Sequence, residues 1–256
     1  MEAGRQTAVR KASMSQDQKT QESQGEGRRE PILNLPGPVL LLIAAMVAVH
    51  LAKTFVLNEE GQVNLLIWFA FVPFRIVDPT GELGGFWPLL WTPVTHAFLH
   101  GGWEHLIFNT AWLAIFGTPV VHRYGAVPFF IIFLVSAIVG ALAYAAYALS
   151  VGELGFLLGA SGGVAGLTGA AVRFMFQPVI MARHPETGEP IPLGRRLATL
   201  PELMARPQPR FFILIWVILN AVMPLLPIAD AQIAWHSHLG GFFTGLFIVP
   251  LFERRK

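Results

Sequence analysis

Gly159-Ala160-Ser161-Gly162-Gly163 sits inside an apolar run over about 156–176, and Ser237-His238-Leu239-Gly240-Gly241 sits inside another over about 231–252. A spanning helix needs roughly 20 mostly apolar residues, and both runs meet that length. Reading them as membrane spans decides the fold class. A backbone in lipid must satisfy its own hydrogen bonds, and a helix does so within one segment. Four more runs pass the same test, at about 37–57, 102–120, 126–149 and 210–228. The expectation is an all-α, polytopic membrane protein with a six-helix bundle over 31–256. The last two spans are joined by a very short turn around Pro227 to Asp230, and no internal repeat is evident.

Composition agrees. Of 256 residues, 54% are hydrophobic and only 13% charged, with a mean hydropathy of +0.54; soluble domains carry about 25% charged residues. There is no cysteine, which excludes disulfides and thiol catalysis. A basic pI near 9.2 reads as loop charge facing a cytoplasm rather than as a nucleic-acid surface. Residues 1–30 are polar and of mixed charge, too poor in large apolar side chains to bury a core, and read as a disordered tail. They lack the apolar core of a signal peptide, so the first span is expected to act as an uncleaved anchor.

Charge placement orients the spans. The tail carries Arg5, Arg10, Lys11, Lys19, Arg28 and Arg29, and the connection after the second span carries Arg123. The 177–209 region and its flanks add Arg173, Arg183, Arg195, Arg196, Arg206 and Arg210, and the C-terminus Arg254, Arg255 and Lys256. These sixteen of the eighteen Lys and Arg residues fall on one side of a six-span layout, leaving Lys53 and Arg75 near the other. By the positive-inside rule both termini are cytoplasmic. The outer connection, 58–101, is unusually apolar: Leu65 to Phe71 reads as an interfacial segment, and Trp87, Trp91 and Trp103 suit the headgroup zone. The 177–209 loop, rich in Pro, Arg and Glu, reads as a solvated segment.

With that orientation, spans two, four and six enter from the outer face. Ser161 lies about six residues into span four, His238 about seven into span six, and Asn109 about seven into span two, so all three sit roughly 10 Å below the outer boundary at a 1.5 Å rise per residue. His105 lies one turn above Asn109 on the same face. Polar side chains are costly at membrane depth, and four at one level point to a shared, water-accessible cavity. A serine and a histidine there form a nucleophile–base pair. Asn109, His105 and the Ser161 N–H are candidate oxyanion donors. No intramembrane Asp or Glu stands near His238 in sequence, so a Ser-His dyad is the economical reading. Gly159, Gly162, Gly166 and Gly169, with Gly241 and Gly245, form small-residue ridges that let helices approach closely in lipid.

These residues resemble the rhomboid family of intramembrane serine proteases. The resemblance rests on Gly159 to Gly162 (Gly-x-Ser-Gly), on His100-Gly-Gly-Trp-Glu-His105-Leu-Ile-Phe-Asn109, on His238 to Gly241 (His-x-x-Gly) and on the six-span layout. It implies Ser161 as nucleophile, His238 as general base, and His105 and Asn109 as oxyanion-hole side chains. Substrates would be single-span membrane proteins with helix-weakening residues, cleaved near the outer helix end without a cofactor. Two positions depart from the pattern. Thr92 follows Trp91 where many relatives place arginine. Ala165 stands four residues after Ser161, where relatives often place an aromatic that stacks on the histidine. The orientation of His238 is then expected to rely on Trp235 or a phenylalanine.

Other readings compete. His96, His100, His105, His236 and His238 are a possible haem or metal set in a membrane carrier, although that leaves Ser161 without a role and no HExxH is present. A catalytically inactive scaffold is a third reading. The Gly-x-Ser-x-Gly elbow of α/β-hydrolases needs a preceding strand, which the apolar flanks do not offer. His96 and His100 are expected to brace the outer connection, His236 to be structural, His50, His122 and His184 to be peripheral, and Glu104 to face the outer interface. Substrate entry is expected past span five (about Phe211 to Val222) and Phe108, with Trp216 at the gate and residues 225–233 as a lid. With no organelle-targeting pattern, a bacterial inner membrane is the expected location, with lipid and transmembrane substrates as partners and no nucleic acid.

Overall fold

Seven of the fifteen residues in Ser161–Met175 are Gly or Ala, and that smallness places this helix at the centre. Every side chain from Gly162 to Phe174 is buried. The computed structural model describes residues 35–77, 81, 83–221 and 234–253; the 1–30 tail and the 225–233 lid expected from the sequence lie outside them. In chain order the main elements are α1 (Gly37–Phe55), α2 (Glu59–Phe69), α3 (Trp103–Tyr124), α4 (Ala126–Val151) and α5 (Ser161–Met175). An antiparallel hairpin of β1 (Val179–Arg183) and β2 (Pro190–Arg195) follows, then α6 (Leu200–Ala205), α7 (Pro207–Ala221) and α8 (Trp235–Ile248).

The architecture is an all-α membrane bundle in which α3, α4 and α8 pack around α5. Its main core joins Leu113, Phe116 and Val120 of α3 to Phe129, Ile132 and Phe133 of α4 and Val164, Leu167 and Ala171 of α5. The outside is apolar as well. Phe108, Ile115, Val127, Phe211, Leu214, Ile218 and Phe247 are among many large exposed hydrophobics, the surface that a lipid-facing bundle requires and water disfavours. Two described helices, α1 and α4, are long and apolar enough to span a bilayer by themselves. Gly125, at φ +84°, ends α3 and starts α4; a side chain would be strained in that left-handed conformation.

Several boundaries differ from those read off the sequence. The expected fourth span begins at Ser161, not near residue 156, because 154–160 runs as irregular chain: Leu157 pairs with Phe71, and the Gly159 N–H donates to the His96 carbonyl at 2.9 Å. The second span runs on to Tyr124. The 177–209 region is not merely a solvated loop, since it forms the β1–β2 hairpin and α6, which starts with a capping box between Thr199 and Glu202. Within the outer connection, α2 has no buried residue, in keeping with an interfacial segment.

Arg75 organises that connection. Its side chain is buried, and its guanidinium donates to the carbonyls of Leu83 (2.8 Å), Ala70 (3.3 Å) and Ile67. A planar fork of donors suits three converging carbonyls, which would otherwise lie unsatisfied. Thr92 leaves the position after Trp91 without an arginine, and Arg75 braces the segment from elsewhere in the same connection. Trp91 adds an indole bond to the Trp68 carbonyl at 2.7 Å, and Lys53 of α1 donates to the His100 carbonyl at 2.9 Å. At the other end of the bundle, buried Arg173 donates to the carbonyls of Ala198 (2.7 Å) and Leu246 (2.8 Å), and Arg123 pairs with Glu253 at 2.6 Å.

Candidate active site

Ser161 is the first residue of α5 and is half-buried. Its predecessor Ala160 offers no side-chain cap, so the first N–H groups of α5 carry the unsatisfied donor character of a helix start. Gly159 makes the approach possible. It adopts φ +114°, and a Cβ there would lie 2.6 Å from His105 Cε1 and Nε2 and 3.8 Å from Asn109 Nδ2. Only glycine permits both that backbone and that contact. Gly159 therefore precedes the helix and seats the His105 ring, rather than forming part of a helix-packing ridge as read from sequence.

His105 and Asn109 come from α3, where they are the third and seventh residues on one face. Asn109 is buried, and its Nδ2 donates to the His105 carbonyl at 3.0 Å. A second Nδ2 hydrogen is left for another acceptor. His100 packs edge-on against the His105 ring with centroids 5.1 Å apart. The two proposed oxyanion side chains thus sit against the residue two positions before Ser161.

His238 lies in the first turn of α8. The two helices meet beside it: a Cβ on Gly162 would stand 2.9 Å from Ser237 Oγ, and one on Gly241 would overlap the Gly162 carbonyl. Gly245 meets Gly166 in the same way, and Gly169 meets the Phe242 carbonyl. The residues adjoining the serine and the histidine are therefore in direct contact. Among the described residues, the hydrogen bond made by the His238 ring is from Nδ1 to Asn220 Oδ1, at 2.8 Å.

That bond corrects the expectation for how the ring is held. Trp235 lies instead against His236, tilted by 32° at 3.5 Å between centroids, and His236 stacks on Tyr147 at 3.6 Å. The sequence reading missed Asn220. Its signal was available: Asn220 is the one polar residue between Arg210 and Asp230 in an otherwise apolar run, and an isolated polar side chain at membrane depth needs a partner.

The remaining histidines occupy several places in the fold. His96 is fully buried and bonds the Thr92 carbonyl through Nδ1 at 3.0 Å, while His100 is buried in the outer connection. His50 is not peripheral: it is 3% exposed and packs edge-on to Trp103 at 4.6 Å. His122 is exposed, as is Glu104. Among the described residues, no group of three or more His, Cys, Asp or Glu side chains is arranged to hold a metal ion. Of the two residues expected at a gate, Phe108 is 72% exposed on α3, whereas Trp216 is buried and stacks on Phe242 at 4.3 Å.

Ser161 at the start of α5, His238 on the adjoining α8, and His105 and Asn109 on α3 thus lie on three helices of one membrane bundle. The chain matches the Rhomboid domain family model over residues 88–255, more than half its length, and it belongs to the rhomboid family. Comparison with curated proteins returns no match.

Proposed function

We propose that this protein is an intramembrane serine endopeptidase that cleaves single-span membrane proteins near the outer end of their transmembrane helix. The observation that carries the reading is the convergence at the start of α5: Ser161 begins the helix, His105 and Asn109 lie against Gly159, and Ser237, next to His238, lies against Gly162. Family membership supports it, because rhomboids are mostly proteases of this kind.

In this mechanism Ser161 Oγ attacks the scissile carbonyl carbon while its proton passes to His238. The tetrahedral oxyanion accepts hydrogen bonds from the Ser161 N–H and from His105 and Asn109. The His238 imidazolium then gives its proton to the leaving nitrogen as the C–N bond breaks. Water, deprotonated by His238, hydrolyses the acyl ester and frees Ser161. No cofactor is needed.

The six-span topology, cytoplasmic termini and bacterial inner-membrane location belong to the same proposal. Arg123, Arg173, Arg195 and Arg196 gather at the end of α5 away from Ser161, which favours an outward-facing site.

The test is reconstitution in liposomes with a model transmembrane substrate. Ser161→Ala and His238→Ala should each reduce cleavage by about 10³-fold or more. A fluorophosphonate should label Ser161 in the parent protein and not in the His238 variant. Folded parent protein that neither cleaves nor labels would overturn the reading in favour of an inactive scaffold, and a haem absorption band would favour a carrier.

A further inference from the structure

We infer that Asn220 is a positioning residue that fixes the tautomer and ring orientation of His238. The inference rests on the proteolytic reading above and extends it, from a serine–histidine pair to a relay reaching into α7.

The bonding pattern leaves one consistent assignment. Asn220 Nδ2 lies 2.8 Å from the Trp216 carbonyl oxygen, and Asn220 Oδ1 lies 2.8 Å from His238 Nδ1. A carbonyl only accepts, so the amide nitrogen must face Trp216, and the amide oxygen then faces the imidazole. An amide oxygen also only accepts. His238 Nδ1 must therefore carry the hydrogen, and in the neutral ring Nε2 is left as the free lone pair. That lone pair is what a general base presents to a serine hydroxyl.

The support behind Asn220 is rigid. Trp216 lies one turn earlier on α7, is 6% exposed, and stacks on Phe242 of α8 at 4.3 Å and 21°. Asn220 and His238 are thus carried by two helices already clamped together one turn away. The position four residues after Ser161 is Ala165, which has no ring to place against the imidazole. In this chain a side-chain amide from α7 orients the ring by hydrogen bonding. It does so without a carboxylate, which would be far costlier to keep in lipid.

The experiment compares Asn220→Leu and Asn220→Asp with the parent, Ser161→Ala and His238→Ala in the same liposomes. Asn220→Leu should lower kcat by about 10- to 100-fold, part of the roughly 10²- to 10⁴-fold that general acid–base catalysis supplies. KM should stay within about twofold, since both ends of the Asn220 amide are committed to Trp216 and His238. Asn220→Asp keeps the acceptor and should recover most of the lost rate. Imidazole ¹⁵N chemical shifts, read without substrate, should show protonated Nδ1 in the parent and a mixed or Nε2-protonated ring in Asn220→Leu. This reading also holds if the variant loses some stability. If Asn220→Leu keeps the parent's kcat and ring tautomer while Ser161→Ala is dead, the role of Asn220 is overturned and the protease reading stands. If Ser161→Ala cleaves like the parent, the protease reading itself fails, whatever the tautomer shows.

Discussion

Gly241 of α8 faces Gly162 of α5 so closely that a Cβ on Gly241 would overlap the Gly162 carbonyl, and Gly245 faces Gly166 in the same register. Two ridges with four-residue spacing therefore interlock, and their upper pair lies next to both Ser161 and His238. In lipid, where apolar burial gives helices no reason to associate, close backbone approach supplies the dispersion contacts that hold them.

Gly241→Val and Gly245→Leu should therefore separate α5 from α8. Overpacking costs about 1–3 kcal/mol at a side-chain interface and more where backbone is struck. Both variants should unfold at lower temperature or denaturant in detergent. Gly241→Val, nearer the site, should also lose fluorophosphonate labelling of Ser161. Unchanged melting for both would count against the interlock.

Removing Arg75 should loosen the outer connection and leave the bundle core intact. Hydrogen bonds to a charged group contribute about 1.5–3 kcal/mol, and Arg75→Met strands the carbonyls of Ile67, Ala70 and Leu83 together. Hydrogen exchange should quicken over 67–83 and stay slow in α5. Arg75→Lys should restore little, because an ammonium lacks the planar fork.

Phe108 and Trp216 should respond oppositely to truncation. Phe108 is largely exposed, so Phe108→Ala should leave stability within about 0.5 kcal/mol and raise the cleavage rate where entry between helices limits turnover. Trp216→Ala removes the Phe242 stack and should destabilise by about 3–5 kcal/mol. Thermal unfolding alongside initial rates separates the two; a slower Phe108→Ala enzyme with unchanged melting would remove Phe108 from the gate.

The start of α6 should fray in acid. The side-chain hydrogen bond from Arg196 (2.5 and 2.9 Å), with a backbone bond from Thr199 at 2.8 Å, lowers the Glu202 pKa to about 2 from a usual 4.5. A depressed carboxyl pKa contributes stability that is complete above about 4.5 and is lost as pH falls through about 2. Amide exchange over Thr199–Ala205 should accelerate across that window, and Glu202→Gln should flatten the dependence. The bonds are exposed, so the effect stays local.

The apolar runs and their glycine spacing are local properties, and from them the amino-acid order alone determined the helical membrane class and the rhomboid motifs. Asn109 is the seventh residue of its helix, as read from the sequence, whereas Ser161 is the first residue of its helix rather than about the sixth and His238 the fourth rather than about the seventh, because those helices start later than the apolar runs do. Other features depended on partners distant in sequence. Ser161 begins its helix because Phe71 and His96 bond Leu157 and Gly159 in irregular chain before it; Arg75 braces a connection in which threonine, not arginine, follows Trp91; and the His238 ring bonds an amide eighteen residues earlier in place of the expected Trp235. Hydrophobic periodicity reports which face of a segment is buried. Which donor meets which acceptor is decided only when the helices dock, since hydrogen bonds act over about 3 Å and hydropathy carries no such information.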